Sequence, residues 1–169
     1  MVLTDLPEAI PRLRDAIQRN EALLEGVDIS AAPLEWGDTA AAEEACGPNG
    51  CDIVLAADVL YSGEASVHAA LRAAFVALAQ PRDAVILHAY EERWPEVIAL
   101  WKSCLTDGGP LRLVRRTELK APPSIRGRSL VLEELRISDD YECDEEEEAA
   151  LITAQLLEAS RAARAISGF

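Results

Sequence analysis

Asp58 and Tyr61 are the residues in this chain whose types and spacing best suit chemistry. They set a carboxylate and a phenol close together, immediately after a continuous apolar run, Ile53 to Ala57. Such a run, preceded by the turn residues Gly47-Pro48-Asn49-Gly50, predicts a strand buried on both faces. Parallel strands of open α/β sheets carry their functional groups just beyond their carboxyl ends. Asp58 falls at that place, and Tyr61 is near enough to work over the same pocket. A carboxylate and a phenol can orient a substrate group and assist proton transfer. Standing alone, the pair reads better as a cap for the next helix and a core tyrosine.

A parallel sheet is needed to hold such a pair, and the rest of the chain has the pattern of one. Met1 to Thr4 is short and apolar. Asp5-Leu6-Pro7-Glu8 opens a helix, with Pro7 in its first turn and Glu8 placed for a capping box. Ile10, Leu13, Ile17 and Leu24 form its apolar face, and Gly26 ends it. Val27 to Ile29 reads as a second short strand, followed by Leu34-Glu35-Trp36-Gly37-Asp38 and an Ala- and Glu-rich stretch to Cys46. The strand after Asp52 is third. A helix from about Glu64 to Ala79 buries Val67, Leu71, Phe75 and Leu78, and Pro81 breaks it. Ala84 to Tyr90 is an internal strand. Glu96 to Thr106 is a helix burying Val97, Trp101 and Leu105, stopped by Gly108-Gly109-Pro110. Leu111 to Val114 and Leu130 to Ile137 are two more strands. The loop 121–128 between them suits an antiparallel pair, because a parallel pair needs a crossover of a dozen or more residues. This alternation predicts an α/β fold: a parallel sheet with helices on both faces and an antiparallel edge hairpin.

Composition narrows the function. A chain of 169 residues, half of them hydrophobic, is the size of one globular domain. The formal net charge of −14 argues against nucleic acid, whose phosphates need clustered Lys and Arg, while an acidic surface attracts a basic protein partner. The four cysteines, Cys46, Cys51, Cys104 and Cys143, include no C-x-x-C pair, and only His68 and His88 could join them in a zinc site. Reduced cysteines in an intracellular protein are the expectation. No apolar run approaches the ~20 residues of a membrane span, and the N-terminus has no signal-peptide pattern. The expected location is the cytosol or nucleus. Residues 1–137 are read as the main domain and 138–149 as an acidic linker. Residues 150–169 are read as an amphipathic helix with Ile152, Leu156, Ala159, Ala163 and Ile166 on one face.

Four blocks carry a resemblance: Leu3-Thr4-Asp5, Leu34-Glu35-Trp36-Gly37-Asp38, Leu55-Ala56-Ala57-Asp58-Val59-Leu60-Tyr61 and Ala89-Tyr90-Glu91-Glu92-Arg93. In order and spacing they resemble the family 16 methyltransferases, small protein-lysine methyltransferases that use S-adenosylmethionine. The likeness runs from residue 2 to about 137. It implies a Rossmann-like class I methyltransferase sheet and a lysine side chain of a protein as methyl acceptor. It also implies that Asp5 grips the cofactor ribose, that Trp36 packs on the adenosine, and that Ala57 lines the adenine pocket. Asp58 and Tyr61 would form the acceptor site. From the residues alone, Asp5 reads better as a helix cap, a role compatible with gripping the ribose, Trp36 as readily as a space-filling tryptophan, and Ala57 as any buried alanine.

One family feature has no counterpart. The resemblance implies a first strand running into a glycine-rich turn, yet the nine glycines of this chain make no G-x-G. The chain begins at what would be the second strand, and a truncated gene product or incomplete gene model is expected. The missing strand belongs between Met1–Thr4 and Ile53–Ala57, so these two strands must either lack a neighbour or pair directly. Two functions compete: a lysine methyltransferase, and a catalytically inactive remnant acting as a protein-interaction module.

Overall fold

In the computed structural model, residues 1–80, 83–105, 109–119 and 129–139 are described. The loop 121–128, the acidic segment from residue 140 and the expected helix 150–169 lie outside them, as do Pro81, Thr106 and Gly108.

Two separate parallel ladders organise the chain. Strand β1 (Val2–Asp5) pairs with β2 (Ser30–Pro33), with Val2 opposite Ser30 and Asp5 opposite Pro33. Strand β3 (Ile53–Ala57) pairs in parallel with β4 (Val85–Glu91), which continues antiparallel into β6 (Leu130–Ile137) and β5 (Leu111–Leu119). The sheet orders are β1-β2 and β3-β4-β6-β5, so β1 and β3 do not pair. Of the two arrangements open to these strands, the structure takes the one in which each keeps an edge unpaired among the described residues.

Helices α3 (Ala65–Ala79) and α4 (Pro95–Ser103) build the core against the four-stranded sheet. Leu71, Phe75, Val76 and Ala79 from α3 and Val97, Ile98 and Trp101 from α4 meet Val54, Ile86, Tyr90, Leu111, Val131 and Leu135 of the strands. The strand residues are alternate positions, as a pleated sheet requires. The α/β class, the parallel pairing and the antiparallel edge agree with the sequence reading. No helix of the described residues is long and apolar enough to cross a membrane.

Several local expectations are corrected. Strand β3 is not buried on both faces: Val54 is buried, but Ile53 is 58% and Leu55 71% exposed. Among the described residues its alternate side chains face no helix, and β4 alone flanks it. The first helix is shorter than expected and lacks a capping box. It begins as a 3-10 turn at Pro7–Ala9 without a side-chain cap and continues as α1 (Ile10–Arg19). Pro7 and Pro11 have no amide hydrogen, which removes donors that a cap would satisfy. The side chain of Asn20 donates to the Ala16 carbonyl at 2.7 Å and closes the helix, leaving Glu21–Leu23 as a second 3-10 turn.

The second strand is Ser30–Pro33 rather than Val27 to Ile29, because pairing with β1 outweighs the β-branched composition of the earlier residues. The Ala- and Glu-rich stretch forms a further helix, α2 (Thr39–Cys46), started by Asp38, whose Oδ1 accepts the Ala41 amide at 2.9 Å. Strand β5 runs on to Leu119, past the expected end at Val114, because a bulge after Leu113 restores its register with β6.

The expectation of reduced cysteines is corrected for one pair. Gly47, at φ 70°, ends α2 and turns the chain so that Cys46 and Cys51 form a disulfide with Cα atoms 5.5 Å apart. The bridge ties the end of α2 to the entry of β3. Cys104 is free and half-buried.

Candidate functional site

The site begins where β3 ends. Asp58 follows Ala57 with φ 57°, in the left-handed region that costs an ordinary residue about 1 kcal/mol and that Asp tolerates better than most. Its amide donates to the Ala89 carbonyl at 2.8 Å, extending the β3–β4 pairing one residue past the strand. The bend at Asp58 is thus fixed on β4, and it swings the carboxylate out of the ladder.

That carboxylate meets a guanidinium. Arg93 donates from Nη2 to Asp58 Oδ2 at 2.8 Å, and from Nε to Glu91 Oε2 at 2.6 Å. Asp58 Oδ1 has no partner among the described residues, and the side chain is 51% exposed. One oxygen is therefore committed and the other is open.

Tyr61 is exposed, with its ring centroid 5.7 Å from that of Trp36 and the planes tilted by 37°. This contact brings the segment after β3 against the segment after β2. Trp36 is partly buried and also packs on the core. Its neighbour Gly37 has φ 92°, a left-handed conformation that favours glycine, and a Cβ there would make only ordinary contact with Ala70 of α3 at 3.5 Å.

Asp5 ends β1 and is exposed. Its Oδ1 accepts the Leu6 amide at 2.8 Å, and it caps no helix; Leu6, without a side-chain hydrogen bond, holds that position. Ala57 is exposed rather than buried and lies opposite Ala89 in the ladder. Of the five residues singled out from sequence, Trp36 and Tyr61 come together. Asp58 is tied to Arg93, and Asp5 stands apart on the smaller sheet.

A family model of lysine methyltransferases matches residues 1–99, more than half of the 169-residue chain. The chain belongs to the lysine methyltransferase family. No curated protein matches it. The stretch matched to the lysine methyltransferases runs from β1 into α4 and contains all five residues. It stops short of β5 and β6, which the sequence resemblance includes.

Two residues of this lysine methyltransferase chain were not given roles by sequence reasoning: Glu91 and Arg93, the partners that hold Asp58. They stand in the Ala89 to Arg93 block, which carried the resemblance without an assigned chemistry. Tyr90, just before them, faces the core instead. Its phenol donates to Glu133 Oε1 at 2.8 Å, and burial and then the Glu133 charge push it well above the usual phenol range.

Proposed function

We propose that this chain carries the cofactor and acceptor residues of an S-adenosylmethionine-dependent protein-lysine N-methyltransferase, with Asp58 and Tyr61 at the acceptor and Asp5, Trp36 and Ala57 on the cofactor. The observation that carries the reading is the geometry of Asp58. A carboxylate stands beyond the carboxyl end of a parallel strand, fixed on one oxygen and open on the other.

The adenosine half of the cofactor has suitable groups. Asp5 Oδ2 has no partner among the described residues and suits a ribose hydroxyl donor. Trp36 offers an aromatic surface beside Gly37, and Ala57 adds little bulk. For the methionine half, the sequence contains no G-x-G to bring backbone amides close. When bound, the cofactor supplies a methyl group on a sulfonium.

The residues of the chain act on the amine. Lysine arrives as an ammonium and must lose a proton before its nitrogen can attack in line. Asp58 Oδ1 can accept a hydrogen bond from the ammonium and set its direction, and positioning of this kind accounts for much of such accelerations. The Tyr61 phenol can add a second contact and help the proton leave. Trp36 against Tyr61 gives an aromatic wall beside this position, and a lysine desolvated against it would favour the neutral amine. The substrate is a protein lysine in a basic surface, in keeping with the acidic balance of the chain, and the setting is the cytosol or nucleus.

A second reading is a non-catalytic remnant acting as an interaction module. It is favoured by the edge of β3 that is unpaired among the described residues, with Ile53 and Leu55 exposed. Calorimetric titration of the folded 169-residue chain with S-adenosylmethionine separates the two. Micromolar binding supports the enzyme, and absence of heat from a chain whose circular dichroism shows it folded supports the remnant.

A further inference from the structure

We propose that Arg93 is a positioning residue for the acceptor: it clamps one oxygen of Asp58 so that the other is presented to the incoming lysine. The inference rests on the reading of Asp58 as the acceptor-site carboxylate and deepens it.

The clamp is built from β4 outward. Glu91 is the last residue of β4, and its side chain is only 7% exposed. The Arg93 amide donates to the Glu91 carbonyl at 2.8 Å, a tight reversal that folds the arginine back over the strand end. From there Nε binds Glu91 Oε2 and Nη2 binds Asp58 Oδ2. Exposure rises along the series, from Glu91 at 7% through Arg93 at 34% to Asp58 at 51%. The guanidinium is therefore anchored on its inner side and offers a rigid donor on its outer side. Trp94 flanks it, with its ring centroid 5.9 Å from Arg93 Cζ.

An exposed ion pair contributes at most about 1 kcal/mol to stability, so folding alone gives Arg93–Asp58 little purpose. Its geometric effect is larger. A carboxylate on a left-handed bend would otherwise rotate freely, because Asp58 has no other side-chain partner among the described residues. With Oδ2 held, the carboxylate plane is set and Oδ1 is the free acceptor. A planar guanidinium can hold two carboxylates at once in fixed directions, whereas an ammonium acts as a point charge. The clamp leaves Oδ1 clear, so a primary ammonium can dock there without displacing Arg93.

The test uses n-butylammonium chloride as the lysine side-chain probe. Its readout is the side-chain carboxyl carbon resonance of Asp58 in the 169-residue chain labelled at aspartate, assigned with Asp58→Asn. In the wild type this resonance shifts saturably with the probe. In Arg93→Gln the apparent affinity falls about fivefold, with the thermal midpoint unchanged. Arg93→Lys keeps the charge but not the double grip, and its affinity stays below wild type. Equal affinity in wild type and Arg93→Gln overturns the role of Arg93 and leaves the acceptor reading standing. Wild-type affinity in Arg93→Lys, with loss only in Arg93→Gln, shows that charge suffices and likewise overturns the clamp. No shift in the wild type overturns the acceptor reading itself.

Discussion

The Trp101 indole on α4 donates to Glu133 Oε2 on β6 at 2.9 Å, in the most buried part of the core. Tyr90 occupies the other oxygen, and His88 Nδ1 stands 3.6 Å from Oε2. That separation is too long for a regular hydrogen bond, so Trp101 and Tyr90 supply the short contacts to this carboxylate. Burial alone would push the Glu133 carboxyl up. The donors around it outweigh burial and hold it below the ordinary carboxylate value.

The sign of the pH dependence follows. A group with a depressed folded pKa contributes stability above the ordinary carboxyl range, and this is lost as pH falls through the depressed value. Urea denaturation from about pH 6 to about pH 3 is expected to show a steep acid-side loss in the wild type. Glu133→Gln is expected to flatten that slope and to cost roughly 2 kcal/mol at neutral pH. An unchanged slope would mean that Glu133 enters the folded state protonated.

Asp58→Gly should be no less stable than wild type. Glycine relieves about 1 kcal/mol of left-handed strain, which offsets the exposed Arg93 pair at a similar or smaller magnitude. The same variant removes the carboxylate placed to meet the amine, so butylammonium binding, read for both proteins by backbone amide shifts around residue 58, should vanish. Urea midpoints of the two proteins, compared at one pH, check the first half. A clear loss of stability would mean that Asp58 holds the fold together.

Asp5→Ala is expected to weaken S-adenosylmethionine binding by roughly ten- to a hundredfold, the loss of hydrogen bonds to a charged acceptor. The melting temperature should hardly move, because among the described residues the Asp5 side chain accepts only the amide next to it. Calorimetry beside a thermal melt reads both. Unaltered affinity would remove Asp5 from the cofactor site.

Reducing the Cys46–Cys51 bridge, or replacing Cys46 with serine, should destabilise the chain by roughly 2 kcal/mol. The closed loop is short, so the loss is at the modest end for a disulfide. Because the bridge ties α2 to the entry of β3, hydrogen exchange should rise first in Thr39–Cys46 and Ile53–Ala57. Uniform loosening of the whole chain would argue that the bridge acts only globally.

The sequence made legible what depends on local pattern. The alternation of Leu130 to Ile137 marks a strand with Val131, Glu133 and Leu135 inward, and the apolar runs mark β3 and β4. Asp58 and Tyr61 were visible because they follow such a run. Long-range pairing was not legible. Arg93 reaches Asp58 from 35 residues away, and nothing in the local spacing points to that contact. Strand β2 was displaced because Val27 and Ile29 look more strand-like than Ser30 to Pro33, whose place is set by β1. The exposure of Ile53 and Leu55 was hidden for the same reason: an apolar run records what a strand can bury, not what lies over it. The Cys46–Cys51 bridge depends on the turn at Gly47, which spacing alone does not fix.

The edge of β3, unpaired among the described residues, also bears on how this chain behaves in bulk. Its five residues carry no lysine and no proline, the devices that usually stop strands from joining edge to edge. The net charge of −14 opposes such joining by a repulsion whose reach salt shortens to about 10 Å at 0.1 M. Concentrated solutions should therefore stay clear at low ionic strength and turn turbid as salt is added. The usual habit of storing a protein in salt to keep it dispersed would work against this one.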